Sequence, residues 1–176
     1  MKLISTNLED VKLVVPEIFR DDRGFFLESF RSSWLSNYSF VQDNHSKSVR
    51  GTLRGLHYQL SAPQGKLVRV VAGEIFDVAV DIRKSSKTFG QWVGSTLNNE
   101  SMEMLWIPPG FAHGFVVVSD IAEVIYKCTD YYHPEDERSI CWDDPELKID
   151  WPLTVDPILS DRDKHAVDFS QADYFE

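Results

Sequence analysis

Short runs rich in Val, Ile, Phe and Tyr alternate with turn-forming Gly, Asn, Asp and Pro, and this spacing most limits the fold of the chain. In the clearest run, residues 74–83, apolar and other side chains alternate, which is typical of a strand with two distinct faces. One face carries Phe76, Val78, Val80 and Ile82, and the other carries Asp77, Ala79, Asp81 and Arg83. Residues 66–71 and 122–129 also predict strands.

The pattern predicts an all-β sandwich or barrel that forms a single domain over residues 1–176. Short helical turns are expected at residues 32–35 and in the polar C-terminal stretch. No repeat, linker or low-complexity tract interrupts the chain.

Charge and composition exclude several partners. The net charge is −10 and the pI is about 4.9, which opposes nucleic acid and anionic membranes. No stretch approaches the roughly 20 apolar residues that span a bilayer, and residues 1–10 lack a signal-peptide core. The two cysteines form no CxxC pair. We therefore expect a cytoplasmic protein with reduced thiols, in which an anionic ligand needs a local cluster of Arg and Lys.

A proline-glycine turn followed by His113, in residues 108–115, resembles the second motif of cupin barrels. In metal cupins that histidine is a ligand, and an earlier HxH motif with a following Glu supplies the others. Here residues 55–59 offer only His57, and position 59 is Gln. Because a tight metal site needs three or four convergent ligands, we predict a cupin-like jelly roll without a metal, with a weak metal site as the minor alternative.

His57 is the first candidate for chemistry. Strand alternation puts Gly55, His57 and Gln59 on one face. A lone strand histidine is more often structural than a general base, so both interpretations stay open. Lys66 would bring a second cation near Arg54 if their two strands pair, and otherwise it is a solvated lysine at a strand end.

Tyr126 shares a face with Val124 and Cys128, so it points into an apolar space. It is either a proton donor or a core tyrosine with a hydrogen-bonded hydroxyl. Periodicity alone leaves this choice open.

Taken together, these motifs resemble the dTDP-4-dehydrorhamnose 3,5-epimerase family over most of the chain. Each motif is weak alone, but their order and spacing are specific. They lie at residues 22–30, 42–46, 53–59, 65–69, 77–83, 106–108, 113–115, 126–127, 149–152 and 159–163.

The resemblance implies a substrate of the dTDP-4-keto-6-deoxyhexose class and a step in dTDP-rhamnose synthesis for surface glycans such as lipopolysaccharide O-antigen. A ketone at carbon 4 acidifies the protons on carbons 3 and 5, so a base and an acid suffice without a cofactor. By the resemblance, His57 is the base, Asp163 orients it and Tyr126 is the acid. Lys66 and Arg54 hold the oxyanion at carbon 4.

The resemblance also implies a homodimer and a set of nucleotide ligands. Arginine suits phosphate because a guanidinium donates two parallel hydrogen bonds. The residues expected to hold the diphosphate and nucleoside are Arg23, Glu28, Gln42, Asn44, His113, Glu137 and Arg162, with Phe26 and Tyr132 expected to stack on thymine.

The chain departs from the usual family pattern at three places, which bear on substrate choice. Segment 60–63 is a residue short, Met104 stands where Gln is common, and Arg162 stands where Lys is frequent. Relatives that invert only one carbon share most of these motifs, so a single-centre epimerase is the alternative enzyme.

A non-catalytic barrel that only binds a sugar nucleotide is the alternative from another class. A structural barrel has no need of polar residues at a pocket, because buried polar groups destabilise a fold unless they are paired. The joint presence of His57, Lys66, Tyr126 and Asp163 argues against it.

Overall fold

Strands dominate the computed structural model, which describes residues 1–176. In chain order they are β1 Lys2–Ser5, β2 Lys12–Val15, β3 Ile18–Asp21, β4 Gly24–Leu27, β5 Gln42–Val49, β6 Leu53–Gln59, β7 Lys66–Ala72, β8 Glu74–Asp81, β9 Trp92–Asn98, β10 Met104–Ile107, β11 Phe111–Val117, β12 Ile121–Cys128 and β13 Glu137–Ser139. Helical turns are limited to a 3₁₀ turn at Ser32–Leu35, the short helix α1 at Asp161–Lys164 and a 3₁₀ turn at Phe169–Gln171.

Two antiparallel sheets form the jelly-roll barrel. The six-stranded sheet runs β1-β2-β10-β7-β12-β5, and the five-stranded sheet runs β13-β6-β11-β8-β9. Strands β3 and β4 form a separate hairpin that pairs with neither sheet. The predicted all-β fold is confirmed.

The core between the sheets is filled from both sides. Val68 and Val124 of the six-stranded sheet pack in one cluster with Ile75, Ala79 and Phe115 of the five-stranded sheet. Such interdigitation of two inner faces is what holds a sandwich together. The site described below lies where this apolar filling gives way to polar side chains.

Strand β8 confirms the predicted alternation, with an addition. Val78 and Val80 pack in a second core cluster on the outer side of the five-stranded sheet, beneath the C-terminal segment. The opposite face carries Asp77 and Asp81, both of which are buried. Both faces of β8 are therefore covered, because the C-terminal segment folds back over the sheet.

The other sequence-based elements are also confirmed: β7 and β12 match the predicted runs, and helical turns occupy residues 32–35 and, within the last 15 residues, residues 169–171. Helix α1 begins at Ser160, whose side chain accepts a hydrogen bond from the backbone N–H of Asp163. No helix is long and apolar enough to cross a membrane.

Candidate active site

A cavity of about 370 Å³ opens between the two sheets. Strands β5, β7 and β12 supply one wall, and β6, β11 and β13 supply the other. Its lining residues are Gln42, Asn44, Ser46, Arg54, His57, Gln64, Lys66, His113, Phe115, Tyr126, Tyr132, Glu137 and Arg162. Ten of these thirteen residues carry predicted site roles, and the structure brings them together.

His57 and Asp163 form a hydrogen-bonded pair at one side of the cavity. His57 Nε2 lies 2.5 Å from Asp163 Oδ1, and Ser160 Oγ donates to Asp163 Oδ2 at 2.6 Å. Burial raises the pKa of Asp163, but hydrogen bonds from His57 and Ser160 outweigh it, so the net pKa is lowered. With Nε2 facing an ionised carboxylate, Nδ1 is the nitrogen left to take a proton; it lies 3.8 Å from Glu137 Oε1.

A β-bulge brings Arg54 to the same cavity as His57. His113 on β11 pairs with His57, whereas Phe115, two residues further on, pairs with Arg54, three residues back. The extra residue in β6 lies between Arg54 and His57, so simple period-two alternation does not place Arg54 with His57. Beyond His57 the register is regular, so Gln59 shares its face as predicted, and the Gln59 amide donates to the backbone carbonyls of Ala62 and Tyr131.

Lys66 reaches the cavity from the other sheet. The idea that its strand pairs with that of Arg54 is wrong, because β7 pairs with β10 and β12 while β6 pairs with β11 and β13. The two cations nevertheless line one cavity, since the sheets face each other across it. Burial lowers the pKa of the Lys66 ammonium, opposed by the charges of Cys128 and Asp77.

Tyr126 stands on the wall formed by β12. Its ring packs against the apolar core, as expected of a core tyrosine. The side chain also lines the cavity, as expected of a proton donor. Burial raises the pKa of the phenol, which keeps the hydroxyl protonated at neutral pH.

A polar cluster of Tyr132, Glu137 and Arg162 forms another part of the wall. Tyr132 Oη donates to Glu137 Oε2 at 2.7 Å, and Arg162 Nη1 donates to Tyr132 Oη at 3.3 Å while forming an ion pair with Glu137. Gln42 accepts from the backbone N–H of Tyr132 at 2.9 Å and donates to Asn44 at 3.1 Å. The predicted nucleotide ligands of β5, β13 and α1 are thus contiguous.

His113 lies deeper than these residues. It is buried, and its Nε2 is 2.5 Å from Oδ1 of Asp77. Burial lowers the pKa of the His113 imidazole, while the charge of Asp77 and its hydrogen bond raise it. In the β6–β11 register His113 lies directly opposite His57.

Arg23, Phe26 and Glu28 do not join the cavity within one chain, because the β3–β4 hairpin pairs with neither sheet. The side chain of Arg23 is 90% exposed and pairs with Asp21, and Phe26 is 71% exposed. Glu28 pairs with Arg31. Their predicted role in ligand binding stays a prediction.

Sequence reasoning missed Ser46, Gln64 and Phe115 as lining residues. Two had a usable signal: Ser46 follows Gln42 and Asn44 at period two on β5, and Phe115 follows His113 at the same period on β11. Gln64 lies in a loop, where no periodicity applies.

The arrangement is suited to moving protons beside a carbonyl. A histidine oriented by a carboxylate faces a protonated phenol across a cavity that also holds Arg54 and Lys66. No group of three or more His, Cys, Asp or Glu side chains is positioned to bind a metal ion. Fold and site together define a jelly-roll protein with an acid–base pocket, the chemistry of an isomerase.

Comparison with known proteins agrees with this class. Residues 5–171 match the family model described as dTDP-4-dehydrorhamnose 3,5-epimerase. A curated protein of that name from Pseudomonas aeruginosa is 56% identical, over 99% of both chains. Another from Neisseria gonorrhoeae is 55% identical over 98% of this chain, which spans only 54% of that relative's length.

A solved structure gives the same result. The dTDP-6-deoxy-D-glucose-3,5-epimerase RmlC of Legionella pneumophila, crystallised with dTDP-4-keto-L-rhamnose, is 52% identical with a TM-score of 0.95, covering 98% of this chain and 94% of its own. The chain belongs to the dTDP-4-dehydrorhamnose 3,5-epimerase family, and the resemblance drawn from its motifs is confirmed.

Proposed function

We propose that this protein converts dTDP-4-keto-6-deoxy-D-glucose to dTDP-4-keto-L-rhamnose by inverting carbons 3 and 5. One observation carries the proposal: His57, held by Asp163 of α1, and Tyr126 stand on opposite sheets and line one cavity. Inversion of a carbon needs a base on one face of the sugar and an acid on the other, and this placement supplies both.

His57 is the proposed base. Asp163 accepts from Nε2, so the lone pair of Nδ1 is free to remove the proton from carbon 3 or 5. Asp163 also stabilises the imidazolium that forms. This pairing keeps the ring in one orientation during both proton transfers.

Arg54 and Lys66 are the proposed oxyanion ligands. Loss of a proton next to the ketone leaves an enolate whose negative charge lies on the oxygen at carbon 4. Fixed cations aimed at that oxygen lower the barrier, typically by a few kcal/mol. Ser48 supports this arrangement, because its Oγ accepts from Arg54 Nε at 3.2 Å and from Nη2 at 3.1 Å.

Tyr126 is the proposed acid. Because burial raises its pKa, the phenol carries a proton to deliver to the opposite face of the enolate. Delivery from that face inverts the carbon, whereas return of the proton from His57 restores the starting configuration.

The polar cluster of Tyr132, Glu137 and Arg162 is proposed to receive the nucleotide part. Arg162 is about half exposed and pairs with Glu137, so an incoming diphosphate competes with that carboxylate for the guanidinium. Gln42 and Asn44 add amide groups along the same wall. With Arg54 and Lys66 in the same cavity, Arg162 supplies the local cations that an anionic ligand needs against the net charge of −10.

We further propose a cytoplasmic homodimer. The β3–β4 hairpin exposes Phe19, Phe25 and Phe26, and an exposed apolar cluster of this kind favours association. In a dimer the hairpin of one protomer can reach the cavity of the other, which would unite Arg23 and Glu28 with the remaining ligands. Both cysteines are unpaired, in keeping with a reducing compartment.

Incubation with dTDP-4-keto-6-deoxyglucose in D₂O tests the proposal. Deuterium at carbons 3 and 5, with an L-configured ketosugar trapped by a reductase, is the expected result. Deuterium at one carbon assigns a single-centre epimerase instead. No deuterium from folded protein that is stabilised by dTDP against heat assigns a binding protein.

A further inference from the structure

We infer that Asp77 is a positioning residue of the pocket: it holds His113 by a hydrogen bond and supplies the counter-charge for Lys66. This inference rests on the proposed epimerase function. Asp77 does not line the cavity, so it acts through these two side chains rather than on the substrate.

Strand pairing explains how Asp77 reaches His113. In the β8–β11 register, Asp77 lies opposite Phe115 and His113 lies opposite Ala79, so the two residues are diagonal neighbours on adjacent strands. Asp77 Oδ1 is 2.5 Å from His113 Nε2, and Asp77 is fully buried. His113 Nε2–H therefore donates to Asp77, which leaves Nδ1 for the cavity.

The second carboxylate oxygen of Asp77 distinguishes this residue from the other buried aspartates, Asp81 and Asp144. Asp77 Oδ2 is buried and has no hydrogen-bond partner. In contrast, Asp81 and Asp144 are buried with both oxygens hydrogen-bonded, the first by Arg83, Ser86 and Thr88 and the second by backbone N–H groups. A buried carboxylate held by one hydrogen bond is costly unless nearby cations compensate it.

Lys66 and His113 are the compensating groups. Burial lowers the pKa of both groups, and the negative charge of Asp77 opposes that shift at each of them. The other groups that act on these two are His57 from β6 and Cys128 from β12. The charged and titratable set around the cavity is completed by Arg54, Tyr126, Tyr132, Glu137, Arg162 and Asp163. Asp77 thus favours the cationic form of Lys66 where the enolate oxygen is to be held.

The test compares Asp77→Asn with Asp81→Asn across pH. Asparagine preserves shape and removes the charge, so Lys66 loses its proton at lower pH. We expect the basic limb of the kcat profile to move down by about one pH unit, with the KM and dTDP affinity nearly unchanged. Asp81→Asn alters a buried aspartate of the same strand outside the cavity; it should lower stability without moving the profile.

A spectroscopic readout covers the case in which Asp77→Asn fails to fold. Nitrogen NMR of the wild-type protein should show His113 protonated on Nε2, with Nδ1 free in the neutral ring. Protonation on Nδ1 alone would overturn the inference, as would an Asp77→Asn profile that superimposes on that of wild type. Wild-type protein that exchanges no sugar protons would instead refute the proposed function, since the NMR result does not depend on turnover.

Discussion

His57 and Asp163 are 106 residues apart in the chain, yet His57 Nε2 lies 2.5 Å from Asp163 Oδ1. The contact exists because α1 packs beside β6 after the chain has completed both sheets. Ser160 starts that helix and also donates to the carboxylate, so one residue positions both the helix and its acid.

Replacing His57 with Asn should abolish exchange of the sugar protons with D₂O while dTDP affinity is kept. General base catalysis typically contributes roughly 10²- to 10⁴-fold, so a loss of that size is expected. Mass analysis of the sugar measures the exchange. His45→Asn is the matched control. His45 is an exposed histidine on the edge strand β5, and it pairs with Glu123 of β12. Unchanged exchange in His57→Asn would remove His57 from the mechanism.

Tyr126→Phe should slow epimerisation more than it slows the first loss of a proton, because it removes only the acid. The ratio of inverted product to deuterium incorporated, followed by NMR, is the measurement. Tyr58→Phe is the control, because the Tyr58 hydroxyl donates a hydrogen bond to the backbone carbonyl of Asp173 outside the cavity. This variant should be less stable, but its ratio of inverted product to incorporated deuterium should equal that of wild type. Equal losses of both steps in Tyr126→Phe would assign it a structural role.

The free energy of unfolding should fall at acid pH in part because the Asp81 carboxylate becomes protonated. Burial raises its pKa, but hydrogen bonds from Arg83, Ser86 and Thr88 outweigh it and lower the pKa from 3.8 to about 2. A lowered folded-state pKa stabilises the protein above the unfolded value, and this contribution disappears as pH falls from about 4 to about 2. It amounts to about 2 kcal/mol at neutral pH.

Denaturant titrations of wild type and Asp81→Asn at pH 7, 4 and 2 measure this contribution. The difference in free energy of unfolding between the two proteins should shrink toward pH 2. A difference that stays constant over this range would show that packing, not charge, accounts for the effect.

The proposed homodimer predicts complementation between two inactive variants. If the hairpin of one protomer completes the partner's cavity, Arg23→Ala and His57→Asn damage different halves of the same site. Mixing and reassociating them at equal amounts should restore about a quarter of wild-type activity, because half the dimers are mixed and each has one intact site. A mixture that stays inactive, although sedimentation shows exchanged dimers, would place Arg23 outside the active site.

Much of the fold and part of the site were predictable from local sequence. The alternation of residues 74–81 marks a strand wherever that strand lies, since successive side chains point to opposite faces. The motifs around His57, His113 and Tyr126 likewise stand within single strands. Such features depend on a few neighbouring residues, so the sequence by itself determines them.

The relations between strands were decided only by the tertiary structure. A bulge in β6 turns Arg54 toward His57, and sheet order sets Lys66 opposite Arg54 rather than beside it. The same packing couples Asp77 to His113 and leaves the β3–β4 hairpin outside the cavity. Register and sheet order depend on burial summed over distant residues, and period-two alternation carries no information about which strand becomes the neighbour of which.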